Sequence, residues 1–327
     1  MTALDRALAA PKNLTADELA DMLASADEEL WSEIFAAARE VKAKCGKTEV
    51  LPRGLIETSN ICAKDCLYCG IRKGNAKVPR YLIPEDEVAA CIDEARRRGY
   101  PAVAFQAGEI ESEANTAYYE RLLAKCRGLE VTLSLGEQTE EVYRRWKDAG
   151  AMRYLIRIET SNRELYAKIH PAECSFERRL GCIRTLKKLG YVTGSGVMIG
   201  LPGQTIRDLA NDIVFYGDER LDMVGMGPYV PNCETPLGTE VKVKGEGEQW
   251  RLNLSLRMIA LTRLYLWNVN IVAATALEAL DPEGGRNRGI EAGANVVMPV
   301  LTPEKYRKCY DLYPGKAGRE GAPRTVT

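Results

Sequence analysis

Between about residues 52 and 300, short apolar runs alternate with amphipathic stretches, about eight times over. The runs are GLIETSNI, AVAFQAGE, EVTLSLGE, MRYLIRIE, GSGVMIGLP, DMVGMGPYVP, NIVAATAL and ANVVMPVLTP. Between them lie segments such as PEDEVAACIDEARRRG and SFERRLGCIRTLKKLG. These carry apolar residues at helical spacing and end on a glycine, which can stop a helix in a left-handed turn. Strand then helix, repeated, builds a parallel sheet, because parallel neighbours need a crossover connection. Eight units predict an α/β fold of the TIM type, a closed (β/α)8 barrel, with an open doubly wound sheet as the alternative. A barrel gathers its strand C-termini at one mouth, here carrying Glu57, Glu109, Glu137, Glu159 and Thr275.

Upstream, residues 13–45 predict two amphipathic helices. Thr15 and Ser25 stand as N-caps, with Glu18 and Glu28 completing capping boxes. The expected organisation is a helical extension packed on the barrel (1–50), the barrel itself (51–316) and an irregular tail (317–327). The polar, glycine-rich stretch Gly238–Glu248 reads as a surface loop.

Composition is 46% apolar and 28% charged over 327 residues, enough to bury a core without disulfide staples. Net charge is −1 and like-charge runs are short, which argues against nucleic acid or an anionic membrane as partner. Arg96, Arg97 and Arg98 end a predicted helix, where cations suit the dipole. No stretch approaches the roughly 20 apolar residues of a membrane span, and the acidic, interrupted first residues are no secretory signal. A cytoplasmic protein is expected. Of ten cysteines only three cluster tightly, a pattern that favours metal ligation over disulfides.

Those three follow the first strand, in Cys62-Ala-Lys-Asp-Cys66-Leu-Tyr68-Cys69. Three thiolates on one loop can hold an iron–sulfur cluster with one iron left open, since such clusters ordinarily take four. An amino acid's amine and carboxylate can chelate that open iron. A structural zinc site wants four closed ligands, and no fourth cysteine or histidine lies nearby in sequence. A thioredoxin-like pair would have no use for Cys62. Zinc and chance clustering of thiols are the alternatives.

The C-x3-C-x2-C spacing, with Tyr68 before the last cysteine, resembles the signature of the radical S-adenosylmethionine (SAM) superfamily. Gln106-Ala-Gly108-Glu109 resembles the family's Gly-Gly-Glu element, whose backbone receives the SAM amino group; Ala107 replaces the first glycine. The segment Gly196–Thr205, with Met198, resembles the stretch that lines the adenine. Within the biotin synthase-like group, LSLGE, RYLIRIET, GLPGQT and GANVVMP are most similar to the HydE maturases of [FeFe]-hydrogenase, over roughly residues 50–316.

The resemblance implies one 4Fe–4S cluster on Cys62, Cys66 and Cys69, with SAM as cofactor. It implies reductive cleavage of SAM to a 5′-deoxyadenosyl radical. The SAM site would comprise Tyr68, Gln106, Gly108, Glu109, Ser134, Arg157, Glu159, Arg179 and Met198, with Arg178 the neighbour to which the arginine assignment could slip. Arg157 and Glu159, two apart on strand four, would share a face. The substrate side would comprise Thr132, Arg153, Thr275, Met298, Tyr310 and Tyr313. Implied partners are a small-molecule or organometallic substrate, an electron donor such as a ferredoxin or flavodoxin, and other hydrogenase maturases. Two positions depart: Ile158 stands where the family typically has histidine, and Ala274 where it has threonine. They keep open a HydE-like paralogue with another substrate, such as the BioB-like protein of [Fe]-hydrogenase cofactor synthesis. A non-catalytic iron–sulfur carrier is the other alternative. No cysteine follows Cys309, so no auxiliary cluster is expected.

Overall fold

The computed structural model describes residues 2–241 and 247–316. Each of the eight apolar runs contains a strand, and every pairing is parallel. The strands are β1 (Leu51–Ser59), β2 (Ala102–Ala107), β3 (Glu130–Ser134), β4 (Arg153–Leu155), β5 (Val192–Ser195), β6 (Met198–Ile199), β7 (Met223–Val224), β8 (Gly227–Pro228), β9 (Asn270–Ile271) and β10 (Val296–Val297). Eight form one sheet in the order β10-β1-β2-β3-β4-β5-β7-β9. Its two edges meet through a Val272–Val296 bridge and a 2.9 Å bond from the Ala273 amide to the Val296 carbonyl. The sheet is therefore a barrel, as the eightfold alternation predicts. β6 and β8 pair with each other beyond β5 and β7. A Cβ at Gly196 would sit 2.1 Å from the Gly225 carbonyl oxygen, so only glycine permits that approach.

Between strands run α4 (Glu85–Arg97), α5 (Glu113–Lys125), α6 (Glu140–Asp148), α7 (Arg163–Ile169), α8 (Phe176–Lys188) and α9 (Ile206–Asp218). Ahead of the barrel come α1 (Ala3–Ala9), α2 (Ala16–Ala24) and α3 (Glu28–Lys44); the first was not foreseen from sequence. Later helices are α10 (Pro236–Glu240), α11 (Glu248–Leu266), α12 (Thr275–Leu280), α13 (Gly285–Glu291) and α14 (Glu304–Arg307). Helix α2 lies against α9 and α3 against α11, sharing one apolar core with the barrel's outer face.

Two local expectations need correction. Thr15 does form its capping box with Glu18, but Ser25 terminates α2. Asp27 caps α3 instead, its carboxylate accepting from the Glu29 and Leu30 amides, which a charge at a helix start does well. The presumed loop from Gly238 begins inside α10, and residues 242–246 and the tail 317–327 lie outside the described residues.

Inside the barrel, side chains stack in layers, because alternate residues of each strand point inward. Arg53, Thr132 and Met223 form a polar floor, with Arg53 Nη1 3.2 Å from both Thr132 Oγ1 and Met223 Sδ. Leu55, Ala104 and Val300 pack together above it. One inward step further along β2 and β3 brings Gln106 and Ser134 to a cavity at the C-terminal mouth.

Candidate active site

The cysteine loop leaves β1 at Asn60, which fastens it on several sides. The Asn60 Nδ2 donates to the carbonyls of Pro79 (2.8 Å) and Cys309 (2.7 Å), and its Oδ1 accepts from the Tyr81 amide. The Arg80 guanidinium donates to the carbonyls of Asn60 and Ile71, both at 2.7 Å. The Glu109 amide points at Cys62 Sγ from 3.3 Å. Cys62, Cys66 and Cys69 all line the same cavity, of about 300 Å³. Burial pushes the Cys62 thiol up and that of Cys69 to about 12; a hydrogen bond with Cys174, then burial, raises Cys66. Binding metal must therefore displace thiol protons.

One side of the cavity is built from charges. Arg179, almost fully buried, donates to Glu137 (2.7 Å) and to the Arg157 carbonyl (3.1 Å), and lies 3.7 Å from Glu109. Lys64, from within the cysteine loop, sits 3.1 Å from Glu109 and 3.2 Å from Glu137. Burial alone would raise the Glu137 carboxyl, but Arg179 and Lys64 reverse it and hold it below its ordinary value. Burial dominates at Glu109 and Glu159, both raised. Arg178 points outward to Glu111, with its Nε 3.1 Å from Glu137. The buried arginine at the cavity is Arg179.

Strand β4 ends at Leu155, short of the residues expected on it. Arg157 and Glu159 still converge, with Arg157 Nη2 2.8 Å from Glu159 Oε2. Glu159 adopts a left-handed backbone (φ 67°). The next turn is pinned by Asp212, whose Oδ1 accepts from the Ser161 amide (2.7 Å) and hydroxyl (2.6 Å). Burial pushes the Asp212 carboxyl up to about 7.

Tyr68, Gln106, Gly108, Glu109, Ser134, Arg157, Glu159, Arg179 and Met198 all line the cavity, as do Thr275, Met298, Tyr310 and Tyr313. The Thr275 and Tyr313 hydroxyls are 2.7 Å apart. Thr132 and Arg153, expected on the substrate side, do not line this cavity. They belong to the floor, two residues below Ser134 and Leu155, and Arg153 Nη2 pairs with Glu130 at 2.8 Å. Ala274 lines the cavity, whereas Ile158 is fully buried and faces the core, its amide bonded to Ser195 Oγ.

Sequence reasoning missed Lys64 and Lys316, which both line the cavity. Lys316 pairs with buried Glu57 and lies over the Tyr310 ring. It also missed the partner of Tyr68. The Tyr68 hydroxyl is 3.2 Å from His170 Nε2, and His170 Nδ1 is 2.9 Å from the Tyr166 carbonyl. A carbonyl only accepts, so Nδ1 carries the proton and Nε2 accepts from Tyr68. Burial, the largest cause, lowers His170 to about 4, so the ring is neutral near pH 7.

The residues present fit an iron–sulfur cluster with SAM beside it. Three thiols line the cavity, and cationic and anionic groups able to meet a zwitterionic amino acid stand next to them. Gly108 leaves a cradle that a Cβ would fill, 2.3 Å from the Ile61 carbonyl oxygen. The Radical SAM superfamily model matches residues 56–215. The "[FeFe] hydrogenase maturase subunit HydE" of Thermotoga maritima is 42% identical over 311 residues, covering 93% of this chain and 85% of its own. This chain is a member of the HydE family of radical SAM enzymes. The 3-methylornithine synthase of Methanosarcina acetivorans is 26% identical, covering 88% and 80% of the two chains. In fold, the crystal structure of methylornithine synthase matches with a TM-score of 0.84 at 23% identity, covering 99% of this chain and 92% of that one. HydG from Carboxydothermus hydrogenoformans matches at 0.76 and 20%, covering 96% and 71%. As a radical SAM enzyme the chain works with a 4Fe–4S cluster, SAM and an electron donor. No helix among the described residues is long and apolar enough to cross a membrane.

Proposed function

We propose that this chain cleaves SAM reductively in the assembly of the [FeFe]-hydrogenase active-site cluster. The observation that carries this reading is the 42% identity to HydE over 93% of the chain, in a fold whose cavity is lined by the three clustered thiols. In this reading Cys62, Cys66 and Cys69 together hold the cluster. When bound, the cluster supplies one electron to the sulfonium of SAM, which releases methionine and a 5′-deoxyadenosyl radical.

The chain's own residues bind and orient. Arg179 offers its guanidinium to the methionine carboxylate, and the backbone of Gln106–Gly108 accepts from the amino group. Glu159, held in charge balance by Arg157, accepts from the ribose hydroxyls. Tyr68 and Met198 border the adenine, with Ser134 beside them. Thr275, Met298, Tyr310 and Tyr313 face the substrate. The enclosing barrel keeps water from the radical. Ten free cysteines suit a reducing, cytoplasmic setting.

A second reading is favoured by one observation: Ala274, lacking the family's hydroxyl, lies on the cavity wall 3.0 Å from where a Gly227 Cβ would stand. It makes the chain a paralogue that cleaves SAM for another acceptor. Supplying the protein in place of HydE in a hydrogenase maturation assay separates the two. Active hydrogenase supports the maturase reading. No hydrogenase activity alongside normal SAM cleavage supports the paralogue, and Ala274→Thr should then recover some maturation.

A further inference from the structure

The stretch from Ile61 to Pro84, which holds the three thiols, is charged unlike the rest of the chain. It carries Lys64, Arg72, Lys73, Lys77 and Arg80 against one acid, Asp65, a net +4 on a chain whose total is −1. Lys64 is turned into the cavity and Arg72 pairs with Asp65. The other three are exposed. Lys73 makes no side-chain bond among the described residues, Arg80 bonds only to backbone carbonyls, and Lys77 shares Glu234 in a contact open to water. Of the acids that open α4, Glu85 and Glu87 are engaged by Arg121 and Lys305.

Apolar surface accompanies the charge. Among the described residues only four large hydrophobic side chains are exposed, and two of them, Ile61 (40%) and Leu82 (49%), belong to this stretch. Backbone contacts tie its parts together: Leu82 bridges to Ser59, the Asn60 amide bonds the Tyr81 carbonyl, and the Lys73 amide bonds the Lys64 carbonyl. Exposed Ile61 and Ala63 flank Cys62, whereas Cys69 packs against the core. Of the three clustered thiols, only Cys62 has an exposed residue on each side of it in the chain.

We propose that this face, centred on Ile61, Leu82, Lys73, Lys77 and Arg80, docks a small acidic one-electron carrier that reduces the cluster by way of Cys62. The step balances as one electron: the carrier's reduced prosthetic group is oxidised by one electron and the cluster is reduced by one. The exposed apolar pair gives the contact a dry centre, and the surrounding cations steer an acidic partner, as complementary rims do. A nucleic acid would suit the charge but not the two exposed aliphatic side chains beside a redox centre. The proposal rests on the radical SAM reading, since a chain without a cluster has nothing to reduce.

The test is stopped-flow reduction of the cluster-loaded protein, with reduced flavodoxin as acidic donor and dithionite as a small one that needs no docking face. In Lys73→Glu/Lys77→Glu the rate constant with flavodoxin should fall about tenfold or more, and the wild-type rate should fall with added salt. With dithionite the change should stay within about threefold, because screened surface charges act weakly on a small reductant. Leu82→Asp should slow flavodoxin in the same way. An unchanged flavodoxin rate in both variants overturns the proposal, as does an equal loss with dithionite, which would place the damage in the cluster. Loss of oligonucleotide binding with an unchanged donor rate would make the face a nucleic-acid site and overturn it too. If dithionite reduces no cluster in the wild type, it is the radical SAM reading that fails.

Discussion

Gly108→Ala perturbs the junction between β2 and the cysteine loop without changing a charge or replacing a ligand. An added Cβ would stand 2.3 Å from the Ile61 carbonyl oxygen, 2.7 Å from its carbon and 2.8 Å from Cys62 Cβ. Carbon–oxygen contacts normally begin near about 3.3 Å, so the loop or the strand end must retreat by roughly 1 Å. Both sides are backbone, which leaves no flexible side-chain tip to give way. The retreat strains three bonds: Gly108 amide to Ser59 carbonyl (3.0 Å), Ala63 amide to Glu109 carbonyl (2.8 Å) and Glu109 amide to Cys62 Sγ (3.3 Å). Overpacking costs about 1–3 kcal/mol, and each lost bond about 0.5–1.5 kcal/mol, so about 3 kcal/mol is expected. Urea unfolding of the cluster-free protein measures this, and iron per chain after anaerobic reconstitution shows whether Cys62 still finds its place. Gly128→Ala is the control, since its φ is 84° but no atom lies within 4 Å of its Cβ position. It should cost only backbone strain and leave the iron content alone. Wild-type stability and iron content in Gly108→Ala would refute the close packing of loop on strand.

Three further outcomes follow from the buried polar groups. Arg179→Met removes the cation that Glu137 and Glu109 share; with Lys64 and Arg178 still present the cost should sit near the lower end of that for a broken buried pair, about 3 kcal/mol in urea unfolding, and Glu137→Gln should relieve part of it. For Asp212 the folded carboxyl is raised to about 7 from an ordinary value of 3.8, so its contribution is greatest below about pH 4 and is lost as pH rises to 7. The stability difference between wild type and Asp212→Asn should therefore fall by about 1.4 kcal/mol per pH unit across that window. His170, lowered to about 4, has the opposite slope between about 6.5 and 4, so the wild-type curve alone would hide the effect, and a flat difference curve would show that Asp212 does not titrate there. Tyr68→Phe and His170→Phe should each weaken SAM binding, and by calorimetry the double variant should lose less than the sum, with a coupling of about 0.5–1.5 kcal/mol. Full additivity would mean that the hydroxyl–imidazole contact does not position the ring.

Much of this was legible in the sequence because the barrel is written in periodicity. Runs such as AVAFQA expose one face to the helices and one to the interior, and every such run holds a strand. Glu159 was harder to place: β4 stops at Leu155, Glu159 itself takes a left-handed backbone, and the turn after it is held at Ser161 by Asp212 from another helix. Ser25 looked able to cap α3, but Asp27, whose carboxylate accepts from two amides, caps it instead. Lys64 and Lys316 resemble ordinary solvated lysines in their local sequence; only the tertiary fold brings Glu109, Glu137 and Glu57 to them. Thr132 and Arg153 do point into the barrel, but depth along a strand decides between floor and cavity, and spacing alone does not give it.

The central claim is that three thiols and the adjoining cavity cleave SAM reductively. Its most direct measurement is 5′-deoxyadenosine released when the anaerobic, cluster-loaded protein is reduced with dithionite in the presence of SAM, for wild type and Cys66→Ala. The account predicts 5′-deoxyadenosine and methionine in equal amounts from the wild type, and neither from the variant. Cleavage by Cys66→Ala at the wild-type rate, or none by a fully loaded and reduced wild type, would contradict it.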